Sequence, residues 1–305
     1  MKVSRAEKNK LKIGIFSFFS GAGFLDLGFE KSGYDVLFAN EICKDFASVY
    51  TFAREQMNMQ GVIPDQHSVE DYVDPENEQY KKLQQKITEA RKKYDLIGFI
   101  GGPPCPDFSV AGKNEGAKGK HGRLSQVYMN VIFEFKPDFF VFENVKGLYR
   151  TARHRAFFEE LKVQFKEYGY LLTEQLVNSL EYGAPQDRDR IILIGIHRDV
   201  VDRRALPAKD GELLSFPWEE YKQYDLAVVK SLTWPNKTPY NENVLTVMPE
   251  GLIPELTVQY WWNLNNVREH RNADMFFRPR AGITRFTTKD EGDVEKKCYK
   301  RLHRW

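Results

Sequence analysis

The sequence predicts an α/β protein, with a mostly parallel β-sheet that has helices on both faces and a smaller, irregular C-terminal lobe. Short, nearly continuous apolar runs alternate with amphipathic segments over residues 1–200. Buried parallel strands separated by helices have this pattern. Beyond residue 200 the alternation stops, and Pro, Asn and Trp become frequent, as in LTWPNKTPYNEN. We therefore expect two domains, over residues 1–200 and 201–305.

The apolar runs predict the strands LKIGIFSFF, YDVLFANE, DLIGFIGG, PDFFVFENV and DRIILIGIH. A 3.6-residue repeat predicts helices in FLDLGFEKSG, ICKDFASVYTFAREQ, ENEQYKKLQQKITEARKKYD, LSQVYMNVIFEF and HRAFFEELKVQFKEYGY. Four unusual segments, FSGAG, ANE, GGPPCPDFS and ENV, stand at the ends of the first four strands. Ligands of such sheets bind beyond the carboxyl ends of the strands, so these segments predict the functional site.

The composition is that of a globular protein, with 305 residues, 42% of them hydrophobic, and a net charge of +2. The apolar runs are shorter than the ~18 residues that a membrane span needs. The three cysteines (43, 105 and 298) are widely spaced, which favours a reducing cytoplasm and predicts neither a disulfide framework nor a metal site. Residues 268–305 carry eleven Lys/Arg against six Asp/Glu. Such a segment suits a phosphate backbone, although a solvated surface explains the charge equally well.

A glycine loop joins the first strand to the first helix, with Gly21, Gly23 and Gly28 in FFSGAGFLDLGFE. Such a turn lets the backbone approach a nucleotide-like ligand and points a helix N-terminus towards it. Glu41 follows the second strand. An acidic residue about 20 positions after such a loop commonly accepts the hydroxyls of a ribose; an exposed surface glutamate is the alternative.

Cys105 stands on a stiff loop, because two glycines and two prolines precede it and Pro106 follows it. A nucleophilic cysteine needs partial exposure and a lowered thiol pKa. Glu143 ends the next predicted strand and could lie beside Cys105. No histidine can be placed there, and a carboxylate partner favours attack on a ring that is protonated as it is attacked.

Gln186, Arg188 and Arg190 alternate just before the last predicted strand. On an extended segment these side chains point the same way. Two guanidinium groups on one face suit a phosphate or a base carbonyl. The alternative is an edge strand whose arginines pair with Asp187 and Asp189.

Taken together, these residues resemble the cytosine-C5 DNA methyltransferase family. The matching motifs are FSGAG, ANE, GGPPCPDFS, FENV and YGAPQDRDR, in family order over residues 13–197. The resemblance implies a Rossmann-like S-adenosylmethionine-dependent methyltransferase fold and no metal. The implied enzyme is a DNA (cytosine-5-)-methyltransferase, whose partner is double-stranded DNA, with residues 201–305 as part of a target-recognition region. Restriction-modification is the implied context, in a prokaryotic cytoplasm at the nucleoid and with no membrane partner.

The resemblance also implies residue roles. Cys105 attacks C6 of a flipped-out cytosine, Glu143 protonates N3, Arg190 contacts the base and Arg188 supports the site. Asn144 braces the ENV segment, and Ser109 lies at the base of a mobile loop. The implied cofactor-binding residues are Phe19, Gly21, Gly23, Leu25, Glu41 and Pro104.

Three departures from the family pattern stand out. Pro106 replaces the usual Gln, and either Ser68 or Asp71 aligns with the residue that contacts the adenine. The family's motifs IX and X are not found, so we expect either a truncated chain or a smaller second subunit that supplies motif IX.

Other functions are possible on the same residues. A tRNA cytosine-C5 methyltransferase uses the same reacting atoms. A non-catalytic DNA-binding subunit is disfavoured by the retention of Cys105, Glu143 and Arg190. A nicotinamide oxidoreductase predicts a third phosphate-binding glycine, which FSGAGFLDLG does not offer.

Overall fold

The structure is a computed structural model, and it describes residues 11–59, 61–104, 122–231, 253–256 and 258–266. Contacts divide the chain into two compact units, Met1–Leu176 with Arg190–Phe216 and Val177–Asp189 with Pro217–Trp305. Residues 177–189 therefore group with the second unit, and residues 201–216 with the first. The functional division into a catalytic and a recognition domain stays a prediction.

The strands are β1 (Ile13–Phe18), β2 (Asp35–Asn40), β3 (Leu96–Gly101), β4 (Phe139–Val145), β5 (Tyr170–Asn178), β6 (Asp189–His197), β7 (Ala208–Lys209) and β8 (Glu212–Leu213). They form a sheet in the order β2-β1-β3-β4-β6-β5-β8-β7. The first four strands pair in parallel, whereas β6 runs antiparallel to β4. The predicted α/β class and all five predicted strands are confirmed, and the sequence interpretation missed β5 and the two short strands β7 and β8.

The helices are α1 (Phe24–Lys31), α2 (Lys44–Gln56), α3 (Glu78–Ala90), α4 (Gly122–Phe135), α5 (Lys146–Arg150), α6 (Ala152–Glu167), α7 (Arg198–Arg204), α8 (Leu226–Ser231) and α9 (Val258–Leu264). Short 3₁₀ helices span Val69–Tyr72, Ser179–Tyr182 and Pro254–Leu256. In the described part of the chain beyond residue 204, helices have six or seven residues, as an irregular lobe predicts. Across the described ranges, no helix has the length and apolarity to span a membrane.

The core covers both faces of the sheet, because successive strand residues point to opposite faces. On one face Phe18 packs against Phe99, with ring centroids 5.2 Å apart, and against Tyr128, at 5.6 Å. On the other face Ile15 and Ile100 pack in a separate apolar cluster with residues of α1. Helices therefore lie against both faces, as predicted.

The carboxyl ends of β1 to β4 meet at one edge of the sheet. The register places Phe18 beside Asn40 and Gly101, and Gly101 beside Phe142. Because β6 is antiparallel, its second residue, Arg190, lies opposite Val145 at the same edge. The glycine loop and the segments after β2, β3 and β4 thus share one edge.

Candidate active site

The glycine loop is a tight turn built from left-handed backbone. Phe19, Gly21 and Gly23 have φ values of 53°, 56° and 82°, a region that non-glycine residues such as Phe19 seldom adopt. The Ser20 N–H donates to the Asn40 carbonyl at 3.0 Å, and the Gly23 N–H donates to the Ser20 carbonyl at 2.9 Å. The chain therefore reverses immediately after β1, and Gly23 becomes the N-cap of α1.

Glu41 ties this loop to the segment after β2. Glu41 is only 8% exposed. One carboxylate oxygen accepts the Gly21 N–H at 2.8 Å, and the other accepts the Cys43 N–H at 2.8 Å. Each oxygen retains a further lone pair, so the carboxylate can still accept ribose hydroxyls. A Cβ built on Gly21 would meet no atom within 4 Å, so open space borders the loop and its residues fit a nucleoside ligand.

Two other predicted cofactor residues have apolar neighbours in the structure. The Phe19 ring makes an edge contact with Tyr128 at a centroid distance of 6.0 Å. Leu25 packs against the cluster of Ile15, Ile100 and Val141. Both residues thus anchor the glycine loop on the core, and their contact with a cofactor stays a prediction.

Glu143 and Arg190 form an ion pair at the carboxyl edge. In the β4–β6 register, Glu143 lies opposite Ile192 and Val145 opposite Arg190, which makes Glu143 and Arg190 diagonal neighbours. The Arg190 Nε lies 2.7 Å from the Glu143 Oε1, and the side chains are 20% and 27% exposed. The structure therefore brings these two predicted catalytic residues together.

The segment before Cys105 packs against the end of β4. A Cβ on Gly102 would lie 2.8 Å from the Glu143 Oε2, so any side chain at this position would displace the Glu143 carboxylate. The buried Asn144 donates from Nδ2 to the Pro103 carbonyl at 3.4 Å. Pro104 is exposed. Cys105, Pro106, Ser109 and the rest of residues 105–121 lie outside the described residues, so the role of the cysteine stays a prediction.

The extended segment predicted to carry Gln186, Arg188 and Arg190 does not include Gln186. Strand β6 begins only at Asp189, and the Gln186 N–H bonds the Ala184 carbonyl at 2.7 Å in a bend. Arg188 is exposed and belongs to the second unit.

The acidic neighbours of Arg188 have partners within the second unit. Asp187 and Asp189 each accept a hydrogen bond from the Asn178 Nδ2 at 2.7 Å. Asp187 also pairs with the Lys230 Nζ at 3.2 Å. The role of Arg188 in supporting the site stays a prediction.

Ser68 and Asp71 form a capping box. The Ser68 Oγ accepts the Glu70 N–H at 3.3 Å, and the Asp71 carboxylate accepts the Ser68 N–H at 3.1 Å. The structure therefore assigns neither side chain to a ligand. The preceding segment extends the edge beside β2, because the Glu41 N–H donates to the Asp65 carbonyl at 2.9 Å.

Sequence reasoning missed a buried polar network beneath the glycine loop, formed by Ser17, Asp26, Tyr50 and Arg54. One signal was present, because Ala47, Tyr50 and Arg54 recur at helical spacing and all three are buried. Among the described residues, no group of three His, Cys, Asp or Glu side chains could hold a metal ion.

Comparisons with known proteins identify the family of the chain. A model of the C-5 cytosine-specific DNA methylase family matches residues 13–260. The chain therefore belongs to the C-5 cytosine-specific DNA methylase family, and the resemblance predicted from the motifs is confirmed.

Its relatives include type II methyltransferases. The chain is 47% identical over 300 residues to M.NmeDI of Neisseria meningitidis serogroup C, covering 98% of this chain and 68% of that protein. It is 33% identical to M.FnuDI of Fusobacterium nucleatum, over 61% of this chain and 47% of that protein. It is 34% identical to M.MthTI of Methanothermobacter thermautotrophicus, over 62% of this chain and 51% of that protein. The chain thus spans about half the length of the last two relatives.

Proposed function

We propose that the chain transfers a methyl group from S-adenosylmethionine to C5 of a flipped-out cytosine in a specific double-stranded DNA sequence. The observation that carries this proposal is the Glu143–Arg190 pair, at 2.7 Å, packed against Gly102. Gly102 precedes Cys105 by three residues. A carboxyl group and a guanidinium beside a cysteine segment suit a nucleobase that is attacked on one atom and protonated on another.

The glycine loop and Glu41 would hold the cofactor. The open space beside Gly21 and the spare lone pairs of the Glu41 carboxylate support this assignment. Phe19, Gly23, Leu25 and Pro104 complete the proposed pocket. When bound, S-adenosylmethionine supplies an electrophilic methyl group.

The protein's own residues carry the remaining chemistry. The Cys105 thiolate forms a bond to C6 while Glu143 delivers a proton to N3, which makes C5 nucleophilic. After C5 has gained the methyl group, the C5 proton passes to solvent, and the electron pair of the C5–H bond forms the C5=C6 double bond and expels the Cys105 Sγ from C6. Glu143 takes the N3 proton back, and the thiolate is restored. The net exchange is one methyl group for one proton.

The DNA must present the cytosine outside the duplex, since the reacting atoms are inaccessible within the stack. Arg190 would contact the flipped base, and Arg188 would support the site. The recognition residues are proposed to lie in residues 201–305, including the basic segment 268–305, which falls outside the described residues. The type II names of the relatives support a restriction-modification context.

Motif IX is proposed to be supplied either by a smaller second polypeptide or by a longer form of this chain. The apolar face of α2 supports a protein partner, because Phe46, Val49 and Phe52 are 54%, 50% and 53% exposed. Contiguous exposed apolar side chains of this kind mark contact surfaces. Methylation should therefore require one of these two additions, and full activity of the 305-residue chain alone would contradict this part of the proposal.

The reaction can be tested with S-adenosylmethionine that carries a labelled methyl group. Duplex DNA and tRNA are offered in parallel, with and without the neighbouring gene product. Cys105→Ser should abolish incorporation into DNA. Arg155→Met is the matched control, because Arg155 lies in a separate ion-pair cluster with Glu159 and Glu174.

Incorporation into duplex DNA at cytosines, located by bisulfite sequencing, supports the proposal. Incorporation into tRNA alone would replace it with a tRNA cytosine-C5 methyltransferase. DNA binding without incorporation under every condition would favour the non-catalytic DNA-binding subunit.

A further inference from the structure

Beneath the glycine loop, α1 and α2 bury three ionisable side chains that the proposed reaction does not use. Asp26 is 0% exposed and Arg54 3% exposed, and the side chain of Glu30 is 12% exposed. Removing charges from water is unfavourable unless partners compensate. The contacts of these residues therefore indicate what the network holds in place.

Arg54 reaches from α2 to the point where the loop becomes helix. Its Nη2 donates to the Gly23 carbonyl at 2.9 Å and lies 2.7 Å from a Glu30 oxygen. The same Gly23 carbonyl accepts the Leu27 N–H at 2.9 Å, the first hydrogen bond of α1. The guanidinium thus fixes the carbonyl of the left-handed residue on which the turn depends.

Asp26 and Tyr50 complete the network. The Asp26 carboxylate accepts hydrogen bonds from the Ser17 Oγ at 2.6 Å and from the Tyr50 hydroxyl at 2.9 Å. Burial and the neighbouring Asp26 raise the pKa of Tyr50, so its hydroxyl stays a donor. The Tyr50 ring also fills the space beside Gly23, since a Cβ there would lie 2.5 Å from it. Strand β1 and both helices are therefore joined under the loop.

We propose that Arg54 is a positioning residue for S-adenosylmethionine. By holding the Gly23 carbonyl, it fixes the glycine loop so that the Gly21 N–H bonds Glu41 and the open side of the loop faces the nucleoside. Because Arg54 is buried, it acts through Gly23 and touches neither cofactor nor DNA. The assignment of the ligand rests on the proposed function, whereas the positioning of the loop does not.

Arg54→Met, Arg54→Lys and the control Arg155→Met separate positioning from general destabilisation. Arg155 has comparable contacts, pairing with Glu174 at 3.0 Å and covering the Tyr149 ring at 4.0 Å. Two measurements are made on the full chain with any required partner polypeptide. The first is amide hydrogen exchange of a peptide covering residues 19–27, and the second is the Kd of S-adenosylmethionine by calorimetry.

Arg54→Met should speed exchange in this peptide and raise the cofactor Kd by about tenfold or more, because a charged hydrogen bond is lost. At saturating cofactor, kcat should stay near the wild-type value while KM rises. Arg54→Lys should show an exchange rate and a cofactor Kd between those of the wild type and Arg54→Met, since lysine keeps the charge without the planar guanidinium group. If Arg54→Met does not fold, Arg54→Lys provides the test. Arg155→Met should change neither quantity by more than about twofold.

Equal exchange and an equal Kd in the Arg54 and Arg155 variants would overturn the proposal. If the wild-type chain binds no S-adenosylmethionine, the proposed function fails. The exchange measurement still decides whether Arg54 positions the loop.

Discussion

Two glutamates lie at the same edge of the sheet, and their surroundings differ. Glu41 is 8% exposed, and backbone N–H groups hold both of its oxygens at 2.8 Å. The Glu143 side chain is 27% exposed, and its partner is the side chain of Arg190. A carboxylate held by backbone cannot move without the loop, whereas one held by another side chain can exchange that partner for a substrate. The contrast matches the proposed roles of Glu41 as a cofactor-binding residue and Glu143 as a catalytic residue.

The largest effect should come from Glu143→Gln. The amide keeps the shape of the side chain but cannot deliver a proton, so kcat should fall by about 10²–10⁴-fold, the usual contribution of general acid catalysis. The Kd of S-adenosylmethionine should stay unchanged. Single-turnover methylation and calorimetry measure the two quantities. A variant with normal kcat would contradict the difference in role between the two glutamates, because Glu143 would then take no part in proton transfer.

Replacing Gly23 or Gly102 with alanine compares the glycine loop near Glu41 with the segment near Glu143. The quantities compared are the unfolding free energy and kcat. Gly23→Ala combines a φ of 82° with a contact of 2.5 Å to the Tyr50 ring, and should lower the unfolding free energy by roughly 2–4 kcal/mol. Gly102→Ala meets only the end of the Glu143 side chain, at 2.8 Å. It should cost about 1 kcal/mol or less but lower kcat by about tenfold or more through displacement of Glu143.

Urea denaturation and single-turnover assays on both glycine variants provide the check. The comparison fails if Gly102→Ala is the less stable variant or Gly23→Ala is as stable as the wild type.

Glu41→Gln should have an intermediate effect. The amide keeps one acceptor and turns an N–H donor towards a backbone N–H, which leaves that group unsatisfied. The cofactor Kd should rise by about tenfold, with kcat unchanged at saturating cofactor. A fall in kcat without a change in Kd would reverse the roles assigned to the two glutamates. Glu55→Gln, an exposed position on α2, is the control.

The smallest effect concerns pH and the network under the glycine loop. Burial raises the pKa of Asp26 above its ordinary value of 3.8, although hydrogen bonds from Ser17 and Tyr50 and the charge of Arg54 oppose the shift. The folded chain therefore holds this proton to higher pH than the unfolded chain. The contribution of protonated Asp26 to stability is fully present below pH 3.8. It is lost as the pH rises through the pKa of Asp26 in the folded chain.

Asp26→Asn should remove this pH dependence. The difference in unfolding free energy between variant and wild type, measured by urea denaturation from about pH 4 to about pH 7, should change in favour of the variant as pH rises. A difference that is constant with pH would show that Asp26 titrates alike in both states.

The position of the site at one edge of the sheet could be predicted, because the loops that follow parallel strands all lie at the same edge. Once β1 to β4 were recognised as buried parallel strands, FSGAG, ANE, GGPPC and ENV had to meet at their carboxyl ends. The proximity of Glu143 to the segment before Cys105 follows from the same geometry. The direction of β6 could not be predicted, because the apolar run DRIILIGIH has the same pattern in either orientation.

Other features required contacts that sequence patterns do not contain. Arg54 is a charged residue at a buried position of α2, and its contacts with the Gly23 carbonyl, Glu30 and the Tyr50 ring explain it. The capping box did have a signal, because Ser68 and Asp71 stand in an S-x-x-D pattern at the start of a short helix. The strand YLLTEQLVN was missed because it begins directly after a helical pattern.

The step that defines the proposed reaction is the attack of Cys105 on the cytosine ring with Glu143 as its acid. It is tested most directly by incubating the protein with S-adenosylmethionine and duplex DNA that contains 5-fluorocytosine at the target base. Fluorine at C5 blocks loss of the C5 substituent, so the covalent adduct persists and its peptide can be identified by mass spectrometry. We predict an adduct at Cys105, absent in Cys105→Ser and formed far more slowly in Glu143→Gln. Methylation of ordinary DNA without any adduct at Cys105, or with an adduct at Cys43 or Cys298, would contradict the account.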